Sequence, residues 1–469
     1  MVAFTRGDAG AGRTLMKTVI GGFAWFVGIG LLLLAGCTGA GPTAAPTPAS
    51  ARSPTAAVDL AATVTPGPAT TLVTGPAPVP TPTAAPTATA APPRGSATPP
   101  AGEEAVLMFR GDLQHTGVYE AEGVPELDGV KWKFESMGSD QYSLTGASRN
   151  IPVIAGEVRA SPAIGGGGVY FGSDDGYLYA LDLETGQLRW SFLVRPGGFE
   201  SPGPVESSPA VLDGVVYVGT MVNSFYAVDL DTGKERWIFR TGGAVISSPA
   251  IKDGVVYFGS WDHFVYGLDL RSGREKWRFE TGDQVWSSPA IAGGAIYFGS
   301  DDGHLYAVDI DTGQERWKFK TGDFVDSSPA LADGVVYFGS FDDHLYAVDA
   351  ETGEERWRFR VEGPVMSSPA ISNGVVYFGS HDGYLYAVDS QTGRRRWRFK
   401  TDGRVKSSPA VAGNVVYFGS FDSHLYAVET ETGREMWRFK TGFRVFSSPV
   451  AVDGVIYFGS DDGHLYALE

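Results

Sequence analysis

From about residue 160 to the end, the apolar positions of the chain come in runs of four or five. Each run is closed by Gly, Asp or Asn. The stretch Ser327 to Gly363, SSPALADGVVYFGSFDDHLYAVDAETGEERWRFRVEG, shows the pattern once through. It predicts strand A at Ser328–Leu331, a turn at Asp333-Gly334, strand B at Val335–Gly339 and a turn at Asp342-Asp343. Strand C follows at Leu345–Val348, then a turn through Thr352-Gly353 and strand D at Arg356–Phe359. Asp-Gly and Asn-Gly pairs tolerate positive φ and favour tight hairpins, so the unit reads as a four-stranded antiparallel meander. In strand B both alternating sets are apolar, Val335, Tyr337 and Gly339 on one side and Val336 and Phe338 on the other. Such a sheet needs cover on both faces. Strand D alternates Trp and Phe with Arg and Lys, as an exposed edge does when it discourages pairing with other sheets.

Nearly the same text returns from Ser287, Ser367 and Ser407, at a period of 40 residues. A repeat of that length without helical periodicity points to radially stacked blades, which cover both faces of every sheet. Strand-B motifs occur at Tyr170, Tyr217, Tyr257, Tyr297, Tyr337, Tyr377, Tyr417 and Tyr457. Trp-x-Phe strands occur at Trp132, Trp190, Trp237, Trp277, Trp317, Trp357, Trp397 and Trp437. Both tallies reach eight, but out of register. The last unit ends at Glu469, after strand C, and Lys131-Trp132-Lys133-Phe134 near the other end supplies the missing strand D. The fold class is therefore all-β: an eight-bladed β-propeller of four-stranded antiparallel blades, closed by an N-terminal strand that completes the last blade. Every strand A carries a proline (Pro162, Pro209, Pro249, Pro289 and onward), a residue at home on a sheet edge.

The first hundred residues read differently. Arg6, Arg13 and Lys17 precede an apolar run from Val19 to Leu34, ending in Leu34-Ala35-Gly36-Cys37. Residues 1–36 read as an export signal, and the terminal tetrapeptide resembles a bacterial lipobox, which implies cleavage before Cys37 and its acylation. Residues 37–102 hold the lipidated Cys and a Pro/Thr/Ala-rich segment unable to bury enough apolar surface to order itself, an extended tether in part of polyproline-II character. Residues 103–469 form the propeller domain. With one cysteine in 469 residues, a disulfide framework and Cys-based metal sites are excluded. A net charge of −17 argues against a nucleic-acid groove, which needs a basic stripe. Phe109 to Gly117 contains Arg110-Gly111-Asp112, an integrin-type tripeptide, but a segment packed against the repeats is the reading favoured.

The text Ala347-Val348-Asp349-Ala350-Glu351-Thr352-Gly353-Glu354-Glu355-Arg356-Trp357 resembles the tryptophan-docking repeat of pyrroloquinoline-quinone (PQQ) dehydrogenases. That resemblance implies that the Trp of one blade packs on its neighbour's turn, assigning Trp132, Trp190, Trp237, Trp277, Trp317, Trp357, Trp397 and Trp437 a structural role. The order of lipobox, tether and eight PQQ-type blades is similar to the BamB-like outer-membrane assembly lipoproteins. It implies an extracytoplasmic scaffold, anchored to a bacterial membrane through its acyl chains and binding a protein or peptide of the envelope. No cofactor is expected on this reading. The quinoprotein alternative implies PQQ with Ca²⁺. Alcohol dehydrogenases of that kind carry a vicinal disulfide that this chain cannot form, and no Glu, Asn and Asp set stands out as calcium ligands and base. A polysaccharide or cell-wall binding module is a further alternative. The propeller is expected to be monomeric.

Asp309-Ile310-Asp311-Thr312-Gly313 lacks the Gly and Glu positions of a calcium loop, and the slots equivalent to Asp311 include Arg271 and Gln391. Its first Asp is expected to bond the Thr-Gly turn. His304, His344, His424 and His464 share one slot with Tyr177, Phe264 and Tyr384, an aromatic packing position. Two slots vary freely. Before Ser-Ser-Pro the series is Arg159, Glu206, Ile246, Trp286, Asp326, Met366, Lys406, Phe446; after strand B it is Asp174, Met221, Trp261, Asp301, Phe341, His381, Phe421, Asp461. Both fall where the D–A and B–C loops emerge together. Insertions at Glu135–Glu157 and Leu193–Val205 enlarge the same end. The candidate binding face is Arg159, Glu206, Met221, Ile246, Trp261, Trp286, Asp326, Phe341, Met366, His381, Lys406, Phe421 and Phe446, with aromatics of the kind enriched among interface anchors. No catalytic or metal-ligating residue is assigned.

Overall fold

A computed structural model describes residues 109–137, 156–195 and 203–469. The expected export signal, Cys37 and the tether lie outside the described residues, as do the central parts of both D–A insertions. The repeats form eight antiparallel sheets with strands ordered A-B-C-D. In the fifth blade these are Ala330–Ala332, Val335–Gly339, His344–Asp349 and Glu355–Arg360. Strand B is buried from end to end and strand D is largely exposed, as the two patterns of apolar residues require. Core clusters run from blade to blade: Tyr297 and Leu305 of the fourth blade pack with Val336 and Phe338 of the fifth. Closure also follows the sequence. Strand β2 (Val130–Glu135) pairs with His464–Leu468, setting Trp132 opposite Ala467 and Phe134 opposite Leu465.

Strand A is shorter than its sequence suggests, beginning at Ala330 and not at Ser328. The two serines and the proline are not laddered to strand B. They reach instead to the neighbouring blade. Ser327 Oγ donates to the Ser367 carbonyl at 3.1 Å, and the Ser328 N–H donates to Ser368 Oγ at 3.1 Å. The second contact repeats round the whole ring, from Ser161 to Ser208, Ser248, Ser288, Ser328, Ser368, Ser408, Ser448 and back to Ser161, at 2.9–3.2 Å. Eight backbone donors near the crowded axis, where strand B cannot serve them, are thereby satisfied.

At the rim each blade docks on the next. Trp357 Nε1 donates to the Ser390 carbonyl at 2.9 Å, and Tyr337 donates its hydroxyl proton to the same oxygen at 3.2 Å. Gly353, at φ +72°, lies under Trp317, and a Cβ there would come within 2.7 Å of the indole. The turn is held by Asp349, whose Oδ1 accepts from the Thr352 N–H at 3.0 Å and whose Oδ2 accepts from Arg356 at 2.7 Å. The expectation for the first Asp of this turn is thus met, and these bonds hold the Asp349 carboxyl down to about 2. Trp437 does not dock on a repeat turn. It donates to the Val124 carbonyl at 2.8 Å instead.

The segment before β2 also crosses the inner strands. The carbonyls of Leu113, Gln114, Thr116 and Gly117 accept from the N–H groups of Ile291, Leu331, Ile371 and Val411, one in each of four successive A strands. Strand β1 (Val118–Tyr119) then pairs parallel with Ala410–Ala412. Arg110 is 3% exposed and donates to the Pro369 carbonyl, so the Arg-Gly-Asp tripeptide is a buried strap and not a displayed adhesion loop.

Candidate functional site at the mouth of the axial channel

The D–A and B–C loops gather the two variable series into two tiers. Arg159, Glu206, Met221, Ile246, Trp286, Asp326, Met366, Lys406 and Phe446 line an axial cavity of about 320 Å³, with Phe109 of the strap and serines of the hydrogen-bonded ring also on its wall. Trp261, Phe341, His381 and Phe421 do not line it; they stand behind the inner tier. All thirteen candidates are half-buried.

The tiers are joined by a rule that the two series do not show when read separately. The outer slot of one blade meets the inner slot of the next. Trp261 packs on Trp286 with ring centroids 4.6 Å apart, and Phe421 faces Phe446 at 6.2 Å. Asp461 of the last blade reaches Arg159 of the first at 3.6 Å. Asp301 faces Asp326; burial, then the neighbouring carboxyl, pushes Asp301 up to about 9, and burial raises Asp326 also. This pair holds a proton at neutral pH. Burial, with Arg404 and Lys406 nearby, brings His381 down to about 4. Each joint therefore has its own chemistry: apolar, acidic, cationic or ion-paired.

Arg159 is the most crowded group. Burial works against its charge, but Asp174 at 3.3 Å, Glu206 at 3.1 Å, Glu157 and Asp461 hold its pKa above the ordinary value. The carboxylates outnumber the guanidinium. Burial, then the charge of Glu206, pushes Asp174 up to about 8, and burial brings Asp461 to about 6. Sequence reasoning placed Asp174, Asp301 and Asp461 in the variable series but left them out of the candidate face, and it missed Glu157. Offsetting one series by one blade against the other would have found the three aspartates.

Other candidates resolve as packing. His304, His344, His424 and His464 each lie 5.7–5.8 Å from the tyrosine two residues on, with Nδ1 against the Asp two residues before. The cavity is a poor match for a calcium-assisted quinone. Its accessible carboxylates are committed, Glu206 to Arg159 and Asp326 to Asp301, and the described residues contain no cluster of three or more His, Cys, Asp or Glu side chains able to hold a metal ion.

Eight four-stranded blades, rim tryptophans on Thr-Gly turns and a strand shared between the termini define a quinoprotein-type propeller. Within that class the chain belongs to the family described as outer membrane protein assembly factor BamB, whose sequence model matches residues 199–324, 302–420 and 381–469. Among solved structures, BamB from Moraxella catarrhalis is similar at 21% identity and a TM-score of 0.57, over 66% of this chain and 94% of that one. The quinohemoprotein alcohol dehydrogenase ADHIIG from Pseudomonas putida HK5 is similar at 17% identity and a TM-score of 0.64, over 77% and 80%. A computationally designed protein, Ika8, is similar at 19% identity and a TM-score of 0.59, over 66% and 96%. At these identities the likeness is one of fold, shared by BamB and an alcohol dehydrogenase alike. No curated protein matches the sequence.

Proposed function

We propose that the chain is a non-catalytic extracytoplasmic scaffold that holds a protein or peptide partner of the cell envelope at the channel mouth. In this reading residues 1–36 are an export signal, Cys37 carries the acyl anchor, and residues 38–102 tether the propeller domain, 103–469, away from the membrane. One observation carries the assignment of the face. Among the described residues, nine buried side-chain polar atoms lack a hydrogen-bond partner, and six belong to the variable slots: Asp174, Trp261, Asp301, Asp326, His381 and Asp461. Native interiors satisfy nearly all such atoms, because each orphan costs about 1–3 kcal/mol. Their concentration at one end of the ring is what a surface completed by a partner would leave. Membership of the BamB family supports a protein as that partner.

Proximity labelling in cells, comparing the full chain with a Trp261→Ala/Trp286→Ala/Phe341→Ala variant, tests the reading. Loss of a specific set of labelled envelope proteins is expected, and an unchanged set counts against it. Cys37→Ser should release the protein from the membrane fraction. Titration of purified protein with PQQ and Ca²⁺ should give neither a bound-quinone absorbance nor dye reduction; either signal would favour the enzyme reading.

A further inference from the structure

Every strand A leaves one backbone edge that its own blade does not use. In the first blade Ala163 pairs with Tyr170 and Gly165 with Gly168, so the peptide groups of Ile164 between them point away from strand B. Ala451 holds the same place in the last blade. The strap serves only half of these edges. Its carbonyls take the N–H groups of Ile291, Leu331, Ile371 and Val411, whereas those of Ala451, Ile164, Val211 and Ile251 have no acceptor among the described residues. The four open edges are consecutive, running from the eighth blade through the first to the third.

A groove lies beside two of them, at the end of the ring opposite the mouth. A cavity of about 540 Å³ separates the strap, at Gly111 and Tyr119, from Ile164 and Ala451. Most of its wall is apolar. Its charged groups are Asp112, Glu120 and Asp453, with no Lys or Arg among them. Asp112 is bonded to the Thr116 N–H, while Glu120 and Asp453 are exposed. An open sheet edge in an apolar groove is a template for an extended chain, whose carbonyls supply the missing acceptors. The protein already uses that chemistry on the neighbouring blades, where the successive carbonyls of Thr116 and Gly117 serve Ile371 and Val411.

We infer that this groove takes an extended basic segment of a partner protein, which crosses the eighth and first blades as the strap crosses the four before them. Two successive carbonyls of the segment accept from Ala451 and Ile164, its small or β-branched side chains lie on the apolar wall, and a flanking Lys or Arg meets Glu120 and Asp453. The site uses none of the residues assigned to partner binding at the mouth, so the two stand or fall separately.

Hydrogen exchange on the full chain, with acetylated and amidated peptides as probes, tests it. One peptide carries the strap text Thr-Gly-Val-Tyr flanked by lysines, and the other the same text flanked by glutamates. In the free protein the Ile371 and Val411 amides should be protected, and those of Ile164 and Ala451 should exchange faster. The lysine-flanked peptide should slow the last two and bind about ten-fold more tightly than the glutamate-flanked one, since two exposed charge pairs change from repulsion to attraction. Glu120→Gln/Asp453→Asn should reduce that preference to about two-fold. Asn keeps the positive φ of this turn, as Asn373 does in the sixth blade. The Trp261→Ala/Trp286→Ala/Phe341→Ala variant should bind the peptide unchanged. Equal affinity for the two peptides, or no slowing at Ile164 and Ala451, would overturn the inference. So would protection of both amides in the free chain at every concentration, which would give the groove to the protein's own N-terminal residues. Protection that rises with protein concentration would give it to a second copy and overturn the inference as well.

Discussion

The rim and the mouth of the ring are built from the same repeats, yet they follow opposite rules. At the rim seven of the eight joints are the same joint, Trp437 being the exception. A tryptophan, a tyrosine and one carbonyl of the next blade meet above a glycine, as Trp357 and Tyr337 do on Ser390. At the mouth the joints differ in chemistry: Trp261 meets Trp286, Asp301 meets Asp326, and Asp461 meets Arg159. Among the described residues the mouth keeps most of the orphaned polar atoms, whereas the rim joints keep the Tyr170 hydroxyl alone. Ring closure is thus secured where the blades are alike, which leaves the mouth freer to vary.

The largest expected effect comes from breaking a rim joint. Trp317→Ala should destabilise the propeller by about 3–5 kcal/mol, as truncation of a large packed aromatic does. Gly353→Ala should be comparably harmful, since it sets a Cβ at positive φ against the Trp317 indole. Urea denaturation would measure both. Trp437→Ala sharpens the point, because its acceptor is Val124 and not a repeat turn. A loss as large as that of Trp317→Ala would show that the N-terminal segment closes the ring as firmly as a blade does.

A mouth substitution should cost much less. Trp261→Ala, on a half-buried side chain with an unpartnered indole N–H, is expected to cost about 1–2 kcal/mol. Its effect should appear in partner labelling and not in the denaturation midpoint. Stability as large a casualty as at Trp317 would erase the distinction between the two regions.

The two regions should also separate by pH. The rim carboxyls are depressed, Asp309 and Asp349 to about 2, so what they contribute is present above the ordinary carboxylate range and is lost only as pH falls toward 2. The mouth carboxyls are raised, Asp174 to about 8 and Asp301 to about 9. A folded state that keeps these protons is favoured below the ordinary range near 4, and that advantage is lost as pH rises through 8 to 9. The melting temperature should therefore fall between pH 6 and pH 9.5, and Asp301→Asn should flatten the fall. An equally steep fall in the variant would remove the mouth as its cause. The smallest effect belongs to the exposed ion pairs of the rim turns. Arg396→Ala breaks a 2.8 Å pair with Asp389 and should cost under about 1 kcal/mol, less still in high salt.

Much of the architecture was legible in the residues. Alternation within strand B, the turn dipeptides and the 40-residue period gave blade and ring, and the out-of-register tallies gave closure by Lys131–Phe134. These are local signals, repeated often enough to be unambiguous. Strand A begins two residues later than its sequence suggests because Ser-Ser-Pro looks like the start of a strand, while its hydrogen bonds go to residues 40 positions away. The strap was seen as a packed segment, but its four carbonyl contacts to successive A strands had no signature in the text.

The sequence by itself determined the blades, their number, the Trp and Thr-Gly joints and the positions free to vary, because each is a short-range pattern that recurs. Only the tertiary structure decided which variable residues meet. Ring closure brings the outer slot of one blade to the inner slot of the next, and the last blade back to the first. Asp461 finds Arg159, Asp301 finds Asp326, and Lys406 comes to lie over the Phe446 ring. Charge, burial and partner are properties of those meetings.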